Sequence, residues 1–436
     1  MSILVIGAGL AGCEAAWQIA NRGTAVDLCE MKPLRFSPAH KSPGFAELVC
    51  SNSLKAERVE SAAGLLKEEM RRLGSLLVPC AYECRVPAGG ALAVDRDAFS
   101  KTVTEKIRSH PNISIRTGEI SELPSEGIRV VATGPLTSDA LADRLFERCG
   151  GRLGFFDAAA PIVTAESLDR ERIFPASRYG RGEDGAYLNC SMNREEYEAF
   201  YRTLVDAERA PLHGFDAADP KVYEGCMPVE VMAGRGEDTL RFGPMKPVGL
   251  RDPRTGHRPW AVLQLRMENT RGTLYNLVGF QTNLKFSEQK RVFGMIPGLE
   301  HAEFVRYGVM HRNTFLNSPA VLAPDLSLKE DPNLFFAGQI TGVEGYMESA
   351  ASGILAGINA VRRTAGEKPF LLPETTMTGA LCHYAAFGGK GPFQPMGANF
   401  GILPPLPAPI RDKRERYAAL AERALADLKK VMEADA

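Results

Sequence analysis

The chain has 436 residues, with 52 Lys and Arg against 53 Asp and Glu, a net charge of −1, and 44% hydrophobic residues. That composition suits a globular protein of two or three domains with a sizeable core. It excludes a molecule that is basic all over, so any nucleic-acid surface must be a local patch. No apolar run is long enough to span a membrane. The N-terminus lacks a basic leader and carries Glu14 within its first helical stretch, which favours a cytoplasmic location. Nine cysteines form an odd, scattered set of the kind found as reduced thiols, and Cys80 and Cys84 have no second Cys/His pair nearby, so no metal site is expected.

Taken in order, Ile3 to Ile6 is a short apolar strand that breaks into Gly7-Ala8-Gly9-Leu10-Ala11-Gly12, and a helix-like stretch follows to about Gly23. A second apolar run, Ala25 to Cys29, ends in Glu30. Strand, glycine turn, helix and distal acid are the parts of a dinucleotide site. Gly7 permits the tight turn, Gly9 lets the backbone approach a pyrophosphate, and Gly12 lets helix and strand pack closely. Glu30 would accept hydrogen bonds from a ribose diol and repel a 2′-phosphate, so the expected ligand is an adenosine dinucleotide such as FAD or NAD. Gly180 to Gly185 fits the same glycine spacing, but no apolar strand precedes it and acids stand where phosphate would lie; it reads as a loop.

Lys32 to Ser53 reads as a long loop beside the cofactor site, ending in Glu47-Leu48-Val49-Cys50-Ser51-Asn52-Ser53. Leu65, Leu66, Met70 and Leu73 mark a helix packed on the core, and Asp97 to Ser109 another. Strands are expected around Ile113 to Arg116 and Ile128 to Ala132, the latter ending in Thr133-Gly134, where the middle of a cofactor could rest. From about Phe155 to Pro324, short strands (Tyr187 to Met192, Trp260 to Met267, Leu274 to Gln281) alternate with isolated helices such as Arg194 to Glu208, as in an α+β insertion. Asn333 to Gly342 resumes the strand-to-glycine pattern, Tyr346 to Arg363 follows as an Ala/Gly-rich helix, and Tyr417 to Met432 marks a last packing helix.

The expected fold is therefore α/β: a Rossmann-type FAD-binding domain of the two-element flavoprotein kind, residues 1–154 and 325–436, interrupted by an insertion at 155–324. The late element, with Gly338, Gln339, Gly342, Gly345 and Tyr346, would cradle the flavin end. Tyr346 could stack on flavin or pterin, or simply anchor the helix start. No second dinucleotide fold is evident, so NADH or NADPH would be a visiting reductant.

Several segments together resemble a known family: Gly7 to Ala16, Cys50-Ser51-Asn52-Ser53-Leu54-Lys55, Tyr223-Glu224-Gly225-Cys226-Met227-Pro228, Leu240 to Leu250, and Gly338 to Tyr346. They are similar to the FAD- and folate-dependent tRNA (uracil-5-)-methyltransferases, the TrmFO family, within the GidA-related flavoproteins. The resemblance implies C5-methylation of uridine 54 in the tRNA T-loop, with carbon from methylenetetrahydrofolate and electrons from reduced FAD. Uracil C5 is a poor nucleophile until a thiolate adds to C6, so such an enzyme needs a reactive cysteine near the flavin. Cys226 is the candidate nucleophile. Cys50 matches the family's second functional cysteine, which implies a role in deprotonating C5 or handling the methylene; the other seven cysteines read as structural.

Arg235 to Arg271 holds eight Lys/Arg against four Asp/Glu, interleaved with Phe242, His257 and Trp260. Arg241, Lys246, Arg251 and Arg258 are the candidate RNA contacts. A solvated loop is the plain alternative for that segment. Two other functions stay open on residues alone: the same chemistry on a ribosomal RNA uridine, and an FAD oxidoreductase acting on a small metabolite without RNA.

Overall fold

The computed structural model describes residues 2–150, 153–180, 186–211, 227–389 and 393–435. Cys226 and residues 181–185 of the second glycine-spaced segment lie outside the described residues.

Four stretches of the chain far apart in sequence build one central sheet. Its order is Ser327–Leu328, Asp331–Phe336, Arg129–Val131, Ile3–Ile6, Val26–Glu30 and Ile113–Thr117, parallel throughout except for the Ser327–Leu328 edge. Parallel strands must be covered on both faces, which is why Val5, Val130 and Phe335 are fully buried and the strands read as continuous apolar runs. The first helix, Leu10–Asn21, lies against the late helix, Tyr346–Ala365. Small residues make that approach possible: a Cβ on Gly353 would lie 2.2 Å from the Ala11 carbonyl oxygen, and one on Gly357 would lie 2.7 Å from that of Ala15.

A second sheet, antiparallel, runs Ile173–Pro175, Tyr187–Met192, Ala261–Met267, Leu274–Leu277, Ile162–Thr164 and Phe304–Arg306. It has its own core, in which Tyr197 and Phe200 of the helix Arg194–Val205 meet Phe280 and Phe293. Each such buried aromatic or aliphatic side chain contributes about 1.5–3 kcal/mol, so the insertion is held by a core separate from that of the parallel sheet. The paired strands Leu153–Ala158 and Met310–Phe315 lead into and out of it.

Several elements differ from the sequence expectation at their ends. The strand begun at Leu274 stops at Leu277, because Gly279 turns the chain at φ +76 with Pro244 against its Cβ position. The helix begun at Arg194 ends at Val205 rather than Glu208. Leu77–Glu83, which carries Cys80, is a helix that periodicity did not reveal, since Pro79 and only seven residues obscure it. The loop from Lys32 closes into a small sheet of Ser53–Ala56, Ala91–Val94 and Arg85–Val86.

Candidate active site

A cavity of about 420 Å³ opens along the carboxyl ends of the parallel strands, where ligands of doubly wound sheets bind. Both glycine turns line it: Gly7, Gly9, Leu10 and Ala11 on one side, Gly338, Gln339, Gly345 and Tyr346 on the other, with Glu30, Thr133 and Gly134 between. Gly7 adopts φ +96, and a Cβ there would lie 2.7 Å from the Ala132 carbonyl oxygen. Gly9 faces open space. Gly12 touches the turn from behind, its Cβ position 1.8 Å from the Gly7 oxygen, and Gly342 is backed by the Phe393 ring, which lies 2.4 Å from where its Cβ would be. Gly12, Ala8 and Gly342 therefore shape the turns while the other candidates face the cavity.

The donor set fits FAD. The first and late helices open at Gly9 and Gly345 with no side-chain cap, and the first turn of each lines the cavity. Uncapped first-turn N–H groups at a cavity wall are donors for a pyrophosphate or a flavin carbonyl. Glu30, 7% exposed, accepts the Ala8 N–H at 2.7 Å and the Lys32 N–H at 2.9 Å. A carboxylate has about four acceptor positions, so two remain for a ribose diol. Glu348 lines the same wall; one of its oxygens takes the Lys55 ammonium at 2.7 Å and the Ala398 N–H at 3.0 Å, and the other is buried without a partner. Such an orphaned acceptor is costly unless a ligand donor meets it.

Cys50 reaches this cavity from the long loop, and its position is set by three elements distant in sequence. The Tyr346 hydroxyl oxygen accepts the N–H groups of Cys50 at 2.8 Å and Ser51 at 3.1 Å, and lies 2.9 Å from the Cys50 Sγ. Two N–H groups occupy its acceptor positions, which leaves its single proton to the sulfur. Burial first, and then the nearby thiol, push the Tyr346 phenol well above its ordinary range, so it is protonated at neutral pH. Arg96 donates to the carbonyls of Leu48 at 2.8 Å and Val49 at 3.3 Å while holding Glu268 at 2.8 Å. Arg266 holds the Asn52 Oδ1 at 2.8 Å and the Ser51 Oγ at 2.9 Å, and Asn52 donates to the Val94 and Met267 carbonyls. The thiol loop is thus stapled to the insertion sheet.

On the insertion, Lys246, Arg251 and Arg258 are exposed, and Arg251, His257 and Arg258 line a shallow groove. Arg241 is placed differently: it lies 3.7 Å over the Trp260 ring, donates to the Trp260 carbonyl at 3.0 Å and pairs with Asp238. Phe242 beside it is 81% exposed. Arg266 and Glu268, counted within the basic segment, are buried at the junction, and Arg254 is paired with Asp252 at 2.6 Å.

The seven remaining cysteines are all buried. Burial pushes the thiols of Cys80 and Cys149 up to about 11 and that of Cys382 up to about 12, and raises those of Cys13, Cys29 and Cys190. Among the described residues no group of three or more His, Cys, Asp or Glu is placed to hold a metal ion, and no helix is long and apolar enough to cross a membrane. Arg96, Arg266 and Glu348 were missed by reading the sequence, and Asn52 entered only as part of the Cys50 to Lys55 motif, with no role assigned to it. Only Glu348 had a local signal, as an acid in the first turn of a helix that otherwise opens on small residues.

The sequence profile of the glucose-inhibited division protein A family matches residues 2–368. A methylenetetrahydrofolate–tRNA-(uracil-5-)-methyltransferase TrmFO of Acetivibrio thermocellus is 61% identical over 428 residues, covering 98% of each chain. The protein of the same name from Geobacter sulfurreducens is 59% identical, also over 98% of each chain. Among solved structures, Aquifex aeolicus GidA superposes with a TM-score of 0.68 at 18% identity, covering 99% of this chain and 75% of its own, a likeness of fold.

Proposed function

The chain belongs to the glucose-inhibited division protein A family, alongside its methylenetetrahydrofolate–tRNA-(uracil-5-)-methyltransferases, and from that premise we propose how its residues perform the transfer. The protein is a methylenetetrahydrofolate–tRNA-(uracil-5-)-methyltransferase: it moves a one-carbon unit from methylenetetrahydrofolate to C5 of a tRNA uracil and uses FAD. The uracil is that of uridine 54 in the T-loop. A transferred methylene becomes a methyl only by gaining a hydride equivalent. FAD held along Gly7, Gly9, Glu30, Gly338 and Tyr346 would, when reduced, supply that hydride equivalent so that the folate is released as tetrahydrofolate, and NADH or NADPH would serve as the external reductant. The reaction belongs in the cytoplasm, where tRNA and thiols are both found in the required state.

Residues 1–154 and 325–436 form the FAD-binding body, and 155–324 the insertion that presents RNA. Gly7 to Gly12, Glu30, Thr133, Gly134, Gly338, Gln339, Gly342, Gly345 and Tyr346 build the FAD site. Cys226 adds to uracil C6 as a thiolate, which raises electron density at C5; after the carbon is attached, the C5 proton must leave, and Cys50 is the group assigned to that side of the chemistry. Lys246, Arg251 and Arg258, with Arg241 bracing Trp260, receive the RNA backbone. The observation that carries this reading is the convergence in one cavity of both glycine turns with the Cys50 thiol.

Two variants test it. Cys226→Ala is expected to retain FAD, lose methyl transfer and lose any covalent adduct with 5-fluorouracil-containing tRNA. Cys50→Ala should keep its flavin and also lose turnover. Full activity in either variant removes that residue from the mechanism.

A further inference from the structure

Cys226 belongs to residues 212–226, outside the described residues, and the chain on either side of them is bound to one four-residue stretch, Gln281 to Leu284. On the entry side Ala210 donates its N–H to the Asn283 carbonyl at 2.7 Å, the Asn283 Nδ2 donates to the Ala210 carbonyl at 2.9 Å, and Arg209 bridges to Leu284. On the exit side Val229 donates its N–H to the Gln281 carbonyl at 2.7 Å. Glu230, fully buried, completes the exit: its carboxylate accepts the Thr282 hydroxyl at 2.8 Å and the Asn283 N–H at 2.8 Å. Asn283 therefore grips both ends. Its neighbour in the clamp, Gln281, is two residues away, at most about 7 Å, so entry and exit are drawn to one place.

The gripping stretch is itself seated on the FAD cavity. Gln281 lines that cavity, and the Thr282 N–H reaches the carbonyl of Ala159, another lining residue, at 3.4 Å. The Thr282 methyl packs on Gly308, whose Cβ position lies 2.4 Å from it, and Gln289 ties the far end by donating to the Leu284 and Gly308 carbonyls at 2.8 Å each. Three residues of chain, at most about 11 Å, separate Cys226 from Val229. A buried carboxylate, hydroxyl and amide cost more to desolvate than apolar side chains of the same size; what they add is direction, since each bond is satisfied at one register of the chain only. We propose that Glu230, Thr282 and Asn283 are positioning residues that fix where the Cys226 segment leaves the insertion beside the FAD cavity, and thereby set the approach of its thiol to the uracil ring. The use of the clamp rests on the reading of Cys226 as the nucleophile, whereas the clamp itself does not.

The test sets Thr282→Val against Thr282→Ser in the FAD-loaded protein. Valine keeps the methyl on Gly308 and loses the hydroxyl bond to Glu230; serine keeps the bond and loses the methyl. With saturating 5-fluorouracil-containing tRNA, covalent adduct formation is expected to slow about tenfold in Thr282→Val and in Glu230→Gln, and to stay within about twofold of wild type in Thr282→Ser. Affinity for tRNA and the rate of flavin bleaching by NADH or NADPH should be unchanged, so the loss falls on kcat and not on KM. Amide hydrogen exchange in the peptides containing Ala210 and Val229, followed by mass spectrometry, should quicken in Thr282→Val and Glu230→Gln but not in Thr282→Ser. A serine variant slower than the valine variant, a loss that appears in tRNA affinity rather than in rate, or exchange unmoved in Thr282→Val overturns the assignment, even if Glu230→Gln fails to fold. No adduct in the wild-type protein refutes the reading of Cys226 instead, and the exchange pattern then decides the clamp alone.

Discussion

Substituting Gly353 by alanine should weaken FAD binding without touching any group in the cavity. The new methyl would lie 2.2 Å from the Ala11 carbonyl oxygen and 2.8 Å from the Ala11 carbonyl carbon and Cα. Relief to ordinary contact requires the first and late helices to separate by about 1 Å. Overpacking of this kind costs about 1–3 kcal/mol. Both helices open onto the cavity with uncapped N-termini, so the separation moves two sets of N–H donors relative to each other. If the whole cost falls on the bound state, FAD affinity drops roughly 5- to 150-fold, since about 1.4 kcal/mol is a factor of ten. Flavin fluorescence titration of the reconstituted apoprotein measures it, with melting curves in parallel. Gly90→Ala is the control, because a Cβ there meets nothing within 4 Å. An affinity within twofold of wild type together with an unchanged melting temperature would show that the helix seam does not position the site.

Two further outcomes follow from other parts of the molecule. Glu69 is fully buried, caps the helix Met377–Phe387 through the N–H groups of Met377 and Thr378, and is pushed up to about 7 by burial. Its folded-state value lies above the unfolded 4.5, so its contribution to stability is complete below about pH 4.5 and is lost as pH rises toward 7. Glu69→Gln should therefore flatten the urea-denaturation stability between pH 4.5 and 7 by up to about 3 kcal/mol, and an unchanged slope would count against burial as the cause. On the RNA side, Arg251→Ala and Arg258→Ala should each reduce the salt slope of tRNA binding by about 0.7–0.9 in filter-binding assays. Arg241→Ala should leave that slope unchanged and lower the melting temperature, because its guanidinium is spent on Trp260 and Asp238. A slope loss for Arg241 alone would invert the assignment.

The nucleotide-binding half was legible because its constraints are local. Gly7, Gly9, Gly12 and Glu30 lie within one βαβ unit, and the spacing itself encodes a tight turn, a close approach and a second strand's end. The late turn at Gly338 was legible for the same reason. The junction was not, since Arg96 and Glu268 are 172 residues apart, Arg266 and Asn52 are 214 apart, and no periodicity links them. The basic segment shows how charge counting misleads: Arg266 and Arg241 raise the count, but one is buried and the other is stacked, so the exposed cations are Arg235, Lys246, Arg251, Arg254, Arg258 and Arg271, and Arg254 among them is paired with Asp252. Cys50 was found through its family motif; what places its sulfur is Tyr346, on the far side of the insertion.

The origin of the carbon and of the electrons separates this enzyme from methylases that use S-adenosylmethionine, whose methyl arrives already reduced. The decisive measurement is the incubation of unmodified tRNA with carbon-labelled methylenetetrahydrofolate, with and without NADH or NADPH, followed by nucleoside mass spectrometry and folate analysis. Label is expected in 5-methyluridine only when the reductant is present, with tetrahydrofolate released in equal amount. Label arriving from S-adenosylmethionine, or stoichiometric dihydrofolate, would contradict the account.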